Sequence, residues 1–390
     1  MYFLQALENN SNSFFRILKN LSAVSLGNIV GNAISALFWL YLASILSKEE
    51  YGELGFIFAI IATVSAFALL GSQNTLMVYV AKNVKIQATV FLLTLIAGFL
   101  SSIGLLVFTE NIFISFYPLS IVIFSLVAFD FLGRKAFVNY AKYLIIQRSL
   151  MVILSLVFIE IWGINGIILG YTLSLGCFAI LAYKAVNESK IDFRLLIKRK
   201  NFIINNFTTH ILAVLSINID KLIIFPVFGA TISGPYQLGF QIFSMIMFLP
   251  HTVIHYTLPH DATGTKNLKL KKYTLICSAI VITLTIILSP ILIPELFPKF
   301  VEAIEVIQIM SLGILPAAIS LILTSELLGN ERTSSVVIGV VIGIITLVVG
   351  VLVLGELWGL VGMSIALVLG KVLQCITLLI LKNKNLKNIV

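Results

Sequence analysis

The side chains with chemistry to offer are the charged and amide groups set inside long apolar runs. Lys371, Lys221 and Arg148 place cations there. A charge at the centre of a bilayer costs on the order of 3 kcal/mol or more unless something compensates it. Cations in such surroundings therefore suit recognition of an anionic group such as a phosphate. Arg148 lies near the end of its run, where a long side chain can reach the headgroups, and Lys221 is open to the same explanation. Lys371 sits mid-run. Asp220 precedes Lys221, but adjacent helical residues point about 100° apart, so the two need not pair.

Asn28 and Asn32 stand one turn apart beside Gly27 and Gly31. They form either a polar stripe on a cavity or a close helix-packing face with amide hydrogen bonds. Glu326 and Asp130, at the inner ends of their runs, suit gating, ion coupling or structural ion pairing. His251 and His255 are also one turn apart, with His260 nearby, but Thr252 stands where a metalloprotease helix carries glutamate. Interfacial packing is the better reading, and no metal is expected. A phosphate-binding loop of the G-x-x-x-x-G-K-[ST] type, a G-x-S-x-G elbow and a paired-carboxylate site are all missing. No catalytic residue and no cofactor is expected, and the chain does not read as an enzyme.

These residues must be carried by membrane helices. Of 390 residues, 59% are hydrophobic and 11% charged, against roughly 25% charged in a soluble domain. The mean hydropathy is +1.07. Such a composition excludes a disordered chain, a coiled coil and a disulfide framework. Cys177, Cys277 and Cys375 lie in or beside apolar runs and read as small buried hydrophobes. The first apolar run has no small-residue cleavage site behind it and is expected to stay in the mature protein.

Apolar runs of about 20 residues predict about twelve spans. They fall near 21–43, 54–77, 86–108, 112–132, 143–159, 164–185, 203–228, 232–258, 273–294, 303–327, 333–354 and 358–381. Basic residues then alternate between connections. Arg16 and Lys19 precede the first span, Lys82 and Lys85 follow the second, and Arg134, Lys135 and Lys142 follow the fourth. Arg194, Lys198, Arg199 and Lys200 follow the sixth, Lys269, Lys271 and Lys272 the eighth, and Lys382 and Lys384 the last. The opposite connections carry only Lys48 and Lys299. The positive-inside rule thus puts both termini in the cytoplasm and the protein in the cell membrane. It also accounts for the net charge of +9 as an orientation signal, which leaves no role for nucleic acid.

Glu160-Ile161-Trp162-Gly163-Ile164-Asn165-Gly166 and Glu356-Leu357-Trp358-Gly359-Leu360-Val361-Gly362 share E-x-W-G-x-x-G, each before the last span of a half. Leu54-Gly55-Phe56 and Leu238-Gly239-Phe240 give a second echo. They divide the chain into parallel repeats, 1–192 and 193–390, each a six-helix lobe. The expectation is an all-α integral membrane transporter of two six-helix lobes.

Three stretches carry a family resemblance: Leu46-Ser47-Lys48-Glu49-Glu50-Tyr51-Gly52 leading into the second span, Ile219-Asp220-Lys221-Leu222 with Gly234-Pro235-Tyr236, and Gly329-Asn330 with Trp358-Gly359. In these the chain resembles the oligosaccharide flippases, Wzx-like polysaccharide export proteins of the MOP superfamily. Pro235 departs from the family's pattern. The resemblance implies alternating access that moves a polyprenyl-phosphate- or diphosphate-linked glycan to the outer leaflet, with membrane lipids and glycan-assembly machinery as partners. Lys371, Lys221 and Arg148 would meet the anionic groups, with Asn28, Asn32 and Asp220 as polar cavity contacts. The alternative is a cation-coupled MATE-type exporter of small molecules, though the first span lacks a central aspartate. A non-transporting structural membrane protein is the third reading.

Overall fold

The computed structural model describes residues 2–187, 189–262, 267–330 and 332–384, with side chains described outside 2–23, 185, 254–262 and 384. His255 and His260 therefore lie outside the described side chains.

The described chain is helical throughout. In order the helices are α1 (Tyr2–Ile45), α2 (Lys48–Leu69), α3 (Ser72–Ala81), α4 (Gln87–Thr109), α5 (Ile112–Ser115), α6 (Tyr117–Gly133), α7 (Phe137–Trp162) and α8 (Ile164–Gly176). There follow α9 (Ala179–Asn187), α10 (Phe193–Ile197), α11 (Lys200–Phe228), α12 (Ala230–Ala262), α13 (Leu268–Leu296), α14 (Ala303–Leu312), α15 (Ile314–Gly329) and α16 (Thr333–Lys384). Ten helical stretches among the described residues are long and apolar enough to cross a membrane. One of them, Thr333–Asn383, holds two expected spans and turns at Gly359, while α12 at 33 residues carries the expected eighth span. Large apolar side chains face outward on many helices, among them Phe99, Phe108, Ile180 and Leu357. In a soluble fold that surface would drive aggregation; here it is the lipid-facing surface of a multi-pass membrane protein.

Packing groups the chain into two units, one of Met1–Phe38 with Ile61–Ile211, the other of Trp39–Ile60 with Leu212–Val390. The boundary expected at 192/193 is thus crossed by Trp39–Ile60. Local chemistry explains why that segment belongs with the second unit. Ser47 and Glu50 form a reciprocal capping box: the Glu50 N–H donates to Ser47 Oγ at 3.2 Å and the Ser47 N–H to Glu50 Oε2 at 2.9 Å. The helix so started sets Gly52 against α12, where an added Cβ would lie 2.7 Å from Gly234 N, and a Cβ on Gly234 would lie 2.2 Å from Lys48 O. Backbones meet there, so both positions demand glycine. Tyr51, fully buried, packs edge-on against Trp39 and Phe300, and Lys48 pairs with Glu302 at 2.9 Å.

In the first unit Leu76, Phe91, Leu126 and Tyr143 lie in the core. In the second the core includes Ile224, Tyr236, Met310 and Met363. The expected span 54–77 is broken at Leu70 and Gly71, both at positive φ, and only glycine fits at 71, where an added Cβ would lie 2.4 Å from Phe207 N. Prolines do not end their helices: α11 continues through Pro226, and α13 through Pro290 and Pro294. Cys375 is buried as expected, but Cys177 is exposed, contrary to its reading as a buried hydrophobe.

The paired E-x-W-G-x-x-G turns share one geometry. Gly163 has φ 55° and ψ −133°, and Gly359 has φ 56° and ψ −133°. At the last glycine of each, a Cβ would strike a backbone carbonyl one turn below, Phe158 O at 2.0 Å for Gly166 and Leu354 O at 1.8 Å for Gly362. The sequence repeat is therefore a repeat of backbone conformation.

Candidate functional site

Within the second unit, α11, α12 and α16 bring Asp220, Lys221, Tyr236, Phe240 and Lys371 into one region. Asp220 and Lys221 are 1% and 5% exposed. The expectation that these neighbours need not pair is corrected: Lys221 Nζ lies 3.1 Å from Asp220 Oδ1. Its stem is long enough to fold back onto the neighbouring carboxylate. The same ammonium donates to Ile217 O at 2.7 Å and sits 3.2 Å above the Phe240 ring centroid. Lys221 does not snorkel outward, and its three N–H groups are all engaged. Asp220 Oδ1 also accepts from the Lys221 backbone N–H, and Tyr236 Oη donates to Oδ2 at 2.8 Å. A buried pair of charges is tolerable when its remaining hydrogen-bonding capacity is met, and this one meets it.

Lys371 differs from Lys221. It is half-buried, lies within electrostatic range of the Asp220–Lys221 pair, and makes no salt bridge or hydrogen bond among the described residues. Gly343 and Gly370 set its position, because the two arms of α16 cross so closely that a Cβ on Gly370 would lie 3.0 Å from Gly343 O.

Glu326 is held by two lysines. Lys271 Nζ on α13 reaches Oε1 at 3.0 Å, and Lys382 Nζ on α16 reaches Oε2. The arrangement staples three helices at one end of the unit.

Within the first unit, α1 lies on α7 through its glycines. A Gly27 Cβ would be 2.8 Å from Ala141 Cβ, and a Gly31 Cβ 3.4 Å from Arg148 Cγ. Tyr140 Oη donates to Asn28 Oδ1 at 3.2 Å. Asn28 thus takes part in helix packing, while Asn32 is exposed. Arg148 is half-buried; its Nε is buried without a hydrogen-bond partner among the described residues, and its Nη1 reaches only Met151 Sδ at 4.0 Å. Asp130 Oδ2 is paired with Arg134 Nε at 2.6 Å. Among the described residues no group of three or more His, Cys, Asp or Glu could hold a metal ion.

The solved structures set this geometry in context. The inward-facing conformation of a multidrug resistance MATE family transporter of the MOP superfamily superposes with a TM-score of 0.76 at 12% identity, over 95% of this chain and 98% of that one. The lipid II flippase MurJ in an inward closed conformation gives 0.75 at 13% identity, over 92% and 87%. The fold resembles the MATE/MOP architecture. At such identities the likeness is one of fold. No protein-family model matches the chain, and no curated protein matches its sequence significantly.

Sequence reasoning missed Tyr236 and Phe240, which complete the Asp220–Lys221 network. Tyr236 stood in a quoted motif, Gly234-Pro235-Tyr236, but nothing in its spacing named Asp220 as its partner. Lys271 was read as an orientation charge; it is buried, at 4% exposure, against Glu326.

Proposed function

We propose that this protein is a MOP-type transporter working by alternating access, and that its cargo is anionic. One contrast carries the reading. The three carboxylates singled out in the spans, Asp130, Asp220 and Glu326, are each tied to a basic side chain. Lys371 and Arg148 have no carboxylate salt bridge among the described residues. Apolar helices keep an unneutralised cation where a ligand supplies the counter-charge.

The phosphate or diphosphate of a polyprenyl-linked glycan is such a ligand, in line with the oligosaccharide-flippase resemblance of the sequence. In this reading Lys371 and Arg148 meet the phosphates, Asn32 offers an amide, and Asp220 and Lys221 act as a structural pair. The protein works in the cell membrane with both termini in the cytoplasm, as the basic connections indicate.

A cation-coupled exporter of small molecules is the second reading. It draws support from the superposition on the multidrug MATE transporter, which spans nearly all of that chain. Reconstitution into proteoliposomes separates the two. Leaflet transfer of a polyprenyl-diphosphate oligosaccharide, without antiport of drug-like cations under imposed ion gradients, is the result expected. Cation antiport without glycolipid transfer would replace this reading with the exporter.

A further inference from the structure

The structure assigns a second anion site, apart from Lys371 and Arg148: we propose that a cavity at the ends of α3 and α6 binds a phosphate group, carried by an anionic phospholipid headgroup or by a soluble phosphate.

The cavity exists because of Gly133. A Cβ there would lie 2.7 Å from Val80 Cβ and 3.0 Å from Met77 O, so only glycine lets α6 end this close to α3. The connections that follow the two helices, 82–86 and 134–136, are thereby set side by side. Each turns through a left-handed residue that is not glycine, Asn83 at φ 56° and Lys135 at φ 59°. Such conformations are sparsely populated for these residue types and persist where surrounding structure holds them.

Between the connections lies a cavity of about 450 Å³, whose lining includes Asn83, Lys85, Gln87, Arg134 and Lys135. That volume is in the range of small-molecule sites, about 300 to 1,000 Å³. Three of these residues are cationic, and no carboxylate among the described residues lines the space. Asp130 holds Arg134 through Nε from outside the lining.

Two further features point to a ligand. Gln87 lines the cavity with 8% of its surface exposed, and its Oε1 has no hydrogen-bond partner among the described residues. Gln87 is also the first residue of α4, a 23-residue helix whose N-cap, Ile86, gives no side-chain hydrogen bond, while Ser189 Oγ accepts from the Ala88 N–H at 2.8 Å. The positive end of that helix adds to the field of the three cations. The oxygens of a phosphate meet these cations. Lys85, Arg134 and Lys135 lie in connections that the positive-inside rule sets at the cytoplasmic face, where anionic headgroups are found.

The test uses the full-length protein in nanodiscs of phosphatidylcholine with increasing phosphatidylglycerol, and separately with inorganic phosphate. The double variant Lys85→Gln with Lys135→Asn removes two cavity charges, asparagine being tolerant of the left-handed conformation. Lys142→Gln with Lys272→Gln removes the same charge from exposed positions outside the cavity. Thermal shift or retained lipid by native mass spectrometry reads the affinity in variants that stay monodisperse. Phosphatidylglycerol binding is expected to weaken at least about tenfold in the cavity variant and to hold in the control. Competition by inorganic phosphate would assign the bare phosphate as the recognised group; lipid binding without such competition would assign the headgroup. Equal weakening in both double variants would reduce the effect to general surface charge and overturn the site, as would the absence of any affinity in the folded wild type. Neither outcome bears on glycolipid transfer through Lys371 and Arg148.

Discussion

Gly163 and Gly359 hold the same backbone conformation within about a degree, and each opens the last helical segment of its repeat. A positive φ combined with ψ near −130° is open to glycine and strained for any residue with a Cβ. Gly359→Ala and Gly163→Ala should each cost about 1–3 kcal/mol. Gly362→Ala should cost more, because its Cβ would overlap the Leu354 carbonyl oxygen. Melting of the purified variants in detergent measures all three. A Gly362→Ala protein that melts with the wild type would show that the backbone contact is not required.

Asp220 and Lys221 make a buried pair, so single and double substitutions should not add. Lys221→Met leaves a buried carboxylate held only by Tyr236 and the backbone N–H of residue 221, and should cost about 3–5 kcal/mol. Asp220→Asn with Lys221→Met removes both charges and should recover part of that loss. Tyr236→Phe strands one carboxylate oxygen and should cost about 1–3 kcal/mol. Double-mutant melting curves with strictly additive losses would argue against the pair.

Much of this architecture was legible in the sequence, and the parts that were not have a common cause. The spans follow from apolar length because each helix meets lipid by its own composition. The E-x-W-G-x-x-G turns were visible because glycine is demanded by local backbone geometry. The break at Leu70 and Gly71 was not, since the backbone of Phe207, which leaves room only for glycine at 71, lies far along the chain. The placement of Trp39–Ile60 with the second unit likewise depends on Gly52 meeting Gly234. The angle between neighbouring helical residues leaves the Asp220–Lys221 pairing open, because it takes no account of how far a lysine stem can fold back. Lys371 was readable as an uncompensated charge, but the closed network beside it was not.

Glu326 ties α13 to α16 through Lys271 and Lys382, and it is partly exposed. A pair of this kind falls between surface and buried salt bridges, so Glu326→Gln should cost about 1–2 kcal/mol. Transport per folded molecule should stay near wild type, because Glu326 and its two lysines lie at the ends of their helices, apart from Lys371. A Glu326→Gln protein of normal stability with abolished transport would instead give this residue the gating role.

Lys371 and Arg148 are the substitutions on which the proposed cargo depends. If Lys371 supplies counter-charge to a phosphate, Lys371→Ala should lower glycolipid transfer at equal membrane abundance by about tenfold or more, the scale of a charge-assisted hydrogen bond of about 1.5–3 kcal/mol. Lys371→Arg keeps the charge and should retain a measurable part of the rate, whereas Lys371→Met, similar in size and neutral, should not. Arg148→Gln should act in the same direction. Melting temperatures separate this from a folding defect, since Lys371 makes no hydrogen bond among the described residues whose loss would destabilise the fold. Unchanged transfer and affinity in both Lys371→Ala and Arg148→Gln would remove these cations from the cargo path and leave the anionic reading without its support.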